Sequence, residues 1–199
     1  MESSINDTQH IEDHIKSSIS IKQSILLDTT LVHKIDEVAK VCVNAYKNGN
    51  KVILAGNGGS AADSQHIAAE FVSRFRFDRP GLPSIALSTD TSMLTAIGND
   101  YGYKNVFSRQ IIAHGEPNDT LIVYTTSGKS ENIIELVNAA RTKLKNIIAL
   151  TGANTKLLSE NCDVIISVNS DDTPKIQEVH AIAGHMICES VEHVLFANS

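Results

Sequence analysis

The sequence predicts a doubly wound α/β protein, and three features predict it. Five short β-branched runs, KVILAG, PSIALST, DTLIVYTTS, NIIALTG and DVIISV, recur through the chain after Asn50 with helical stretches between them. Nearly continuous apolar strands that alternate with helices belong to a parallel sheet covered on both faces. A glycine cluster directly follows the first run, in AGNGGSAAD, where a strand of such a sheet hands over to a helix. The first fifty residues stand outside the alternation and carry helical periodicity alone. The expectation is therefore a parallel five-stranded sheet flanked by helices over residues 51–199, preceded by helices over 1–50, in one unit spanning 1–199.

Composition supports a folded protein with a full core. The chain has 199 residues, 42% of them hydrophobic, and a net charge of −6, which fits one soluble globular domain. Acidity without a basic stripe argues against nucleic acid as a partner. No apolar run approaches membrane-spanning length, and the polar start MESSINDTQHIEDHIK lacks the basic and apolar segments of a secretory leader. Cys42, Cys162 and Cys188 are widely spaced and form no CxxC pair, so a reducing cytoplasm is the expected compartment.

The elements follow in order. IEDHIKSSISIKQSILLD and LVHKIDEVAKVCVNAYKNGN place apolar residues three and four apart, and the second ends in Asn48-Gly49-Asn50, a helix stop. These helices either cover the sheet or form an oligomer interface. After the first strand, Gly56, Gly58 and Gly59 allow a tight turn and a close backbone approach. Ser60 is placed to cap the next helix, whose free N–H groups favour an anion. Gly56, Gly58 and Ala61 also match the loose dinucleotide pattern GxGxxG/A, which brings in a nicotinamide or flavin enzyme. The acidic residue of that fingerprint should follow by about 20 residues, and Asp90 lies well beyond it. A tight turn without a ligand is the remaining alternative.

The third strand runs into YTTSGKSEN, where Thr125, Thr126, Ser127 and Ser130 surround one glycine at another helix start. Hydroxyls and free backbone N–H groups suit a phosphate, although the GxxxxGK[ST] spacing of a Walker loop is absent. Beside the glycine loop of a neighbouring strand, this segment reads as a phosphate site. His66 and Glu70 share a helix face at i and i+4. The stretch from Pro174 to Phe196 reads as one amphipathic helix carrying Gln177, His180 and His185. Histidines, a carboxylate and an amide could bind a zinc-like metal or act as acid and base. Gln177 and His185 are eight residues apart, a rise of roughly 12 Å on a straight helix. If both serve one site, they come from different subunits.

Four segments together, GNGGSAADSQHIAAEFVSRF, AIGNDYGY, TTSGKSEN and TPKIQEVHAIAGHMICESVE, resemble the phosphoheptose isomerases of the sugar isomerase (SIS) domain superfamily. The resemblance spans nearly the whole chain. It implies flavodoxin-like subunits in a homotetramer, N-terminal helices in its central bundle and active sites at subunit interfaces. The implied reaction converts sedoheptulose 7-phosphate to D-glycero-D-manno-heptose 7-phosphate, the first step toward activated heptose for bacterial lipopolysaccharide, capsule or glycoprotein. By motif, Asn57, Gly58, Gly59, Asn99 and Asp100 would contact the sugar phosphate, and Thr125, Thr126, Ser127 and Ser130 would hold its phosphate. His66, Glu70, Gln177 and His185 would be ligands of one zinc per subunit, with Glu70 and Gln177 also facing substrate. The family's phosphate loop commonly reads serine-threonine-serine-glycine-asparagine-serine, whereas this chain has Thr125 and Lys129.

The chemistry agrees with these residue types. Ketose-to-aldose isomerisation removes a proton from C1, passes through an enediol and returns a proton to C2, which requires a base, an acid and stabilisation of a developing oxyanion. Glu70 is the candidate base and His185 the candidate acid. The superfamily also contains non-catalytic adaptors, one of which binds a replication initiator, and sugar-phosphate sensing is a third possibility. Adaptors lack parts of the acid–base set, and the joint presence of Glu70 and His185 favours an enzyme.

Overall fold

A computed structural model describes residues 8–197. The first residues of the acidic amino-terminal stretch, 1–7, on which the expectation of no leader partly rests, lie outside the described residues.

The chain opens with α1 (Gln9–Leu27) and α2 (Thr29–Lys47). Asp28 separates them, and its side chain accepts from the Leu31 amide at 3.1 Å, so one residue both ends a helix and caps the next. Past Asn48, Gly49 takes φ 74°, the left-handed conformation that stops α2 where the sequence predicts. Then come β1 (Val52–Gly56), α3 (Gly59–Val72), β2 (Ser84–Ala86), α4 (Thr91–Tyr101) and a short 3-10 turn at Tyr103–Asn105. The chain continues through α5 (Ser108–His114), β3 (Thr120–Thr125), α6 (Glu131–Arg141), β4 (Asn146–Thr151), β5 (Val164–Ser167) and α7 (Thr173–Phe196).

All five strands pair in parallel in the order β2-β1-β3-β4-β5. This is the flavodoxin-like arrangement of a doubly wound sheet. Alternate strand residues enter opposite layers, which explains why the strands read as apolar throughout. Leu54, Ile122 and Leu150 pack with Ile67, Phe71 and Ile187 from α3 and α7. Ile53, Val123 and Ala149 pack with Ile111 and Leu136 from α5 and α6.

One detail departs from the strict alternation predicted from sequence. The β4–β5 connection contains turns rather than a regular helix, and buried Leu158 plugs the core there.

The first strand pairs with β2 on one side and β3 on the other, so the chain leaves it in opposite directions. A crevice opens at such a switch point, beyond the carboxyl ends of the strands. The register Gly56↔Tyr124 and Thr125↔Thr151 brings the glycine loop and the hydroxyl loop to that edge together.

Of the two N-terminal helices, α2 covers the sheet through Val38, Cys42 and Val43. In contrast, α1 touches α7 through a polar cluster in which Ser18 and Lys22 bond Glu178. It leaves Ile11, Ile15 and Ile19 about half exposed. Among the described residues, no helix is long and apolar enough to cross a membrane.

Candidate functional site

A cavity of about 220 Å³ occupies the switch point, lined by Asn57, Gly59, Ser60, Tyr124, Thr125, Thr126, Ser130, Thr173 and Gln177. Three helix N-termini supply this lining: Gly59 and Ser60 begin α3, Ser130 precedes α6, and Thr173 begins α7. The first turn of a helix leaves backbone N–H groups free and carries the positive end of its dipole. Hydroxyls fill much of the remaining wall, and no carboxylate lines it. Such a cavity suits an anion with many acceptor oxygens, such as a phosphate.

The loop geometry has local causes. Gly58 takes φ 55° at the N-cap of α3, and no side chain among the described residues caps that helix. Ser60, expected as the cap, instead lies inside the first turn with 3% exposure. The cap position falls on a left-handed glycine because the chain turns from β1 into α3 within two residues. At Gly56 a Cβ would sit 2.5 Å from the Ser60 carbonyl carbon, so the turn closes only around glycine. Asn57 and Asn132 exchange a reciprocal pair of amide hydrogen bonds at 2.8 Å. The Tyr103 hydroxyl adds a third contact by donating to Asn57 Oδ1 at 3.1 Å. In the other loop Gly128 takes φ 62°, the Lys129 amide donates to Ser127 Oγ at 3.2 Å, and Thr125 Oγ1 is buried with no hydrogen-bond partner among the described residues.

The structure therefore gathers Asn57, Gly59, Thr125, Thr126, Ser130 and Gln177 at one cavity. Ser127 is exposed beside it, and Gly58 shapes the loop without lining it. Asn99 and Asp100 lie in the last turn of α4 rather than in a loop, exposed and bonded to each other at 2.8 Å. Sequence reasoning passed over Tyr124 and Thr173. The signal for Tyr124 was a hydroxyl inside the apolar run LIVY; Thr173 showed itself only as the residue before the helix-starting proline.

A second cluster forms farther along α3. His66 Nε2 lies 2.9 Å from His185 Nε2 and 3.4 Å from Glu70 Oε1, and the Phe75 ring packs on His185 with centroids 5.6 Å apart. Gln177 does not join this group; it lies against Gly59, where an added Cβ would meet its side chain. Two imidazole nitrogens and a carboxylate oxygen are donors of the type zinc takes. Zinc–nitrogen bonds of about 2.0–2.1 Å in a tetrahedron hold donors a little over 3 Å apart, close to the observed spacings. The donor types suit zinc, but among the described residues no group of three or more His, Cys, Asp or Glu is placed to hold a metal ion as it stands.

Behind both clusters are polar groups kept dry. Asp63, one turn before His66, has a buried Oδ2 with no hydrogen-bond partner among the described residues, and burial pushes its carboxyl up to about 6. His180 is 0% exposed, and among the described residues neither ring nitrogen has a hydrogen-bond partner within ordinary distance; burial, offset in part by the Thr151 backbone, holds its pKa down to about 4. It stacks edge-on against Tyr124 at 5.8 Å.

A parallel α/β sheet whose switch point converges helix N-termini and hydroxyls on a cavity suited to an anion, with an ionisable cluster on the adjoining helices, is the arrangement of a phosphosugar-binding domain. Residues 18–152 match the SIS domain family. A curated phosphoheptose isomerase from Aneurinibacillus thermoaerophilus is 54% identical over 189 residues, covering 95% of this chain and 96% of that protein. Phosphoheptose isomerase 2 of Campylobacter jejuni is 52% identical over 96% of this chain and 95% of its own length. A solved phosphoheptose isomerase from Francisella tularensis superposes with TM-score 0.89 at 35% identity, covering 95% of this chain and 100% of that one. The chain belongs to the SIS-domain family and, within it, to the phosphoheptose isomerases, which are sugar-phosphate isomerase enzymes.

Proposed function

We propose that this protein interconverts sedoheptulose 7-phosphate and D-glycero-D-manno-heptose 7-phosphate in the cytoplasm, supplying the first intermediate toward activated heptose for a bacterial surface glycan. The observation that supports it best is the convergence of three helix N-termini and the Thr125, Thr126 and Ser130 hydroxyls on one cavity, with Glu70 and His185 each beside His66 on the adjoining helices.

In this scheme the hydroxyl loop and the start of α6 bind the phosphate, while Asn57 and the Gln177 amide orient the sugar. The Glu70 carboxylate removes the C1 proton of the ketose. His185 gives a proton to the C2 carbonyl oxygen to form the enediol. Glu70 then returns its proton to C2 while His185 takes the C1 hydroxyl proton, which completes the aldose and restores both groups. A zinc ion held by His66, Glu70 and His185 of one subunit, with Gln177 supplied by another, would act as a Lewis acid on the carbonyl and hydroxyl oxygens. A metal-bound imidazole does not trade protons freely, so His185 acts either as ligand or as acid.

Helix geometry favours a shared site. Gly59 and Glu70 are eleven residues apart on α3, a rise of roughly 16 Å. The seven carbons of the sugar, joined by six bonds of about 1.5 Å, span at most about 9 Å. In this proposal the acid–base cluster of one subunit completes the phosphate cavity of another within a homotetramer, and the exposed Ile11, Ile15 and Ile19 face of α1 contributes to its central bundle. Mixing inactive Gln177→Ala and His185→Ala subunits tests the sharing, because activity should return only if the site spans subunits. An NMR time course with sedoheptulose 7-phosphate, run with added zinc and with chelator, tests the reaction. Appearance of the aldose heptose phosphate supports it, and loss of product with chelator assigns the metal a catalytic part. A folded protein that forms no product under either condition overturns the proposal.

A further inference from the structure

Arg79 and Glu192 form an ion pair that faces neither solvent nor cavity. Their side chains are 2% and 1% exposed, and Arg79 Nε donates to Glu192 Oε1 at 3.1 Å. A buried pair costs much desolvation and is often matched in stability by apolar residues of the same volume. Net stability is therefore a poor account of its presence.

The remaining hydrogen bonds supply a better one. Arg79 Nη2 donates to the Glu70 carbonyl at 2.9 Å, and Nη1 donates to the Phe71 carbonyl at 2.6 Å. Both carbonyls belong to the last turn of α3, where the helix has no N–H groups of its own left to offer and its dipole favours a cation. Glu192, on α7, accepts the amides of Phe75 at 2.9 Å and Arg76 at 2.6 Å. Phe75 is the residue whose ring packs on His185. The pair thus grips the backbone of Glu70 on one side and the segment behind His185 on the other.

A second fork, Arg76 on Glu189 at 3.1 and 3.3 Å, also ties the segment after α3 to α7, but it is exposed to solvent and exposed ion pairs contribute little. Near the two histidines the helices meet where Gly184 faces Ile67, so closely that a Cβ on Gly184 would lie 2.7 Å from Ile67 Cδ1. Apolar packing of this kind holds the helices together without direction, whereas charge-assisted hydrogen bonds from a planar fork are directional.

We propose that Arg79 and Glu192 are positioning residues of the isomerase site, locking the end of α3 that carries Glu70 to the face of α7 that carries His185. This rests on the assignment of Glu70 and His185 as base and acid, and neither Arg79 nor Glu192 touches the cavity.

The test uses Arg79→Lys, which keeps the charge but loses the fork, and the double variant Arg79→Met/Glu192→Leu, which leaves no charge stranded. Each is compared with wild type by kcat and KM for sedoheptulose 7-phosphate, by thermal melting, and by the imidazole NMR resonances of His66 and His185 in substrate-free protein. The expected result is a kcat lower by about tenfold or more, since misplacement by 1 Å can cost about a hundredfold, with KM little changed and displaced imidazole resonances. A folded variant with wild-type kcat and unmoved resonances overturns the proposal, as does a lower melting temperature alone. If the double variant does not fold, Arg79→Lys decides by the same readings. If wild type itself forms no product, the functional assignment fails separately, and the imidazole resonances still decide whether the pair positions these side chains.

Discussion

Replacing Gly59 by alanine should separate stability from activity. Gly59 is the first residue of α3, and its φ is not positive, so alanine fits the backbone. Within a helix the exchange stabilises by roughly 0.5–1 kcal/mol. The added Cβ would nevertheless sit 2.9 Å from both Cδ and Oε1 of Gln177, and closer still to Nε2. Restoring an ordinary contact of about 3.5 Å requires the amide to retreat by about 0.6–1 Å. A long side chain can make that move cheaply, so the fold should not suffer. The sugar, however, meets a displaced amide. Misplacement on this scale can cost up to about a hundredfold, or about 2.7 kcal/mol in the transition state. The expected outcome is kcat/KM reduced by about ten- to a hundredfold with a melting temperature equal to or above that of wild type. The assay is product formation followed by NMR alongside a thermal melt. The double variant Gly59→Ala/Gln177→Ala supplies the control, because with no amide to displace, the Gly59→Ala change should cost nothing beyond the loss of Gln177. Wild-type activity in Gly59→Ala, or losses that multiply in the double variant, would refute the argument.

Glu70→Gln keeps the size of the side chain and removes the base, so kcat should fall by more than about a hundredfold at nearly constant KM; retention within tenfold would take Glu70 out of that role. Gly128 has φ 62°, and a Cβ there would run into the Asn154 carbonyl and come within 3.1 Å of Thr151 Oγ1. Gly128→Ala should therefore cost at least about 1–2 kcal/mol of stability and raise KM through a distorted phosphate loop; an unchanged KM would mean the loop does not hold the phosphate. Burial also sets a pH dependence of stability. His180 titrates near 4 in the fold but near 6.5 when unfolded, so between these values the unfolded chain binds the extra proton and stability falls as pH falls. His180→Leu should gain on wild type by up to about 1.4 kcal/mol per pH unit on acidification from about 6.5 to 4. Asp63 has the opposite sign: it titrates near 6 when folded, above the unfolded value of about 3.9, so Asp63→Asn should lose relative to wild type as pH falls from about 6 to 4. Chemical denaturation at stepped pH measures both differences, and a pH-independent difference in either variant would contradict its assignment.

What the sequence determined by itself was whatever local chemistry dictates. Strands buried on both faces are apolar along nearly their whole length, so VILAG, TLIVYT and NIIALT, with polar residues only at their ends and a tyrosine beside one of them, read as central strands without further information. The stop of α2 at Asn48-Gly49 is legible because one left-handed residue decides it. The glycine and hydroxyl loops could be located because ligand loops follow strands, and the i, i+4 spacing placed His66 and Glu70 on one face.

Other features depend on which distant segments meet, and the tertiary structure alone decided them. Ser60 looks like a cap but becomes part of a cavity wall, because Gly58 turns the chain before it. Asn99 and Asp100 resemble a turn yet finish a helix on the surface. His66 and His185 stand 119 residues apart in sequence and 2.9 Å apart in space. Gln177, on the same helix as His185, serves the cavity instead, because a helix rises about 1.5 Å per residue. Arg79 and Glu192 look like two ordinary surface charges in the chain. Only the close approach of α3 and α7 buries them, because only there does the open end of one helix face a carboxylate on the other.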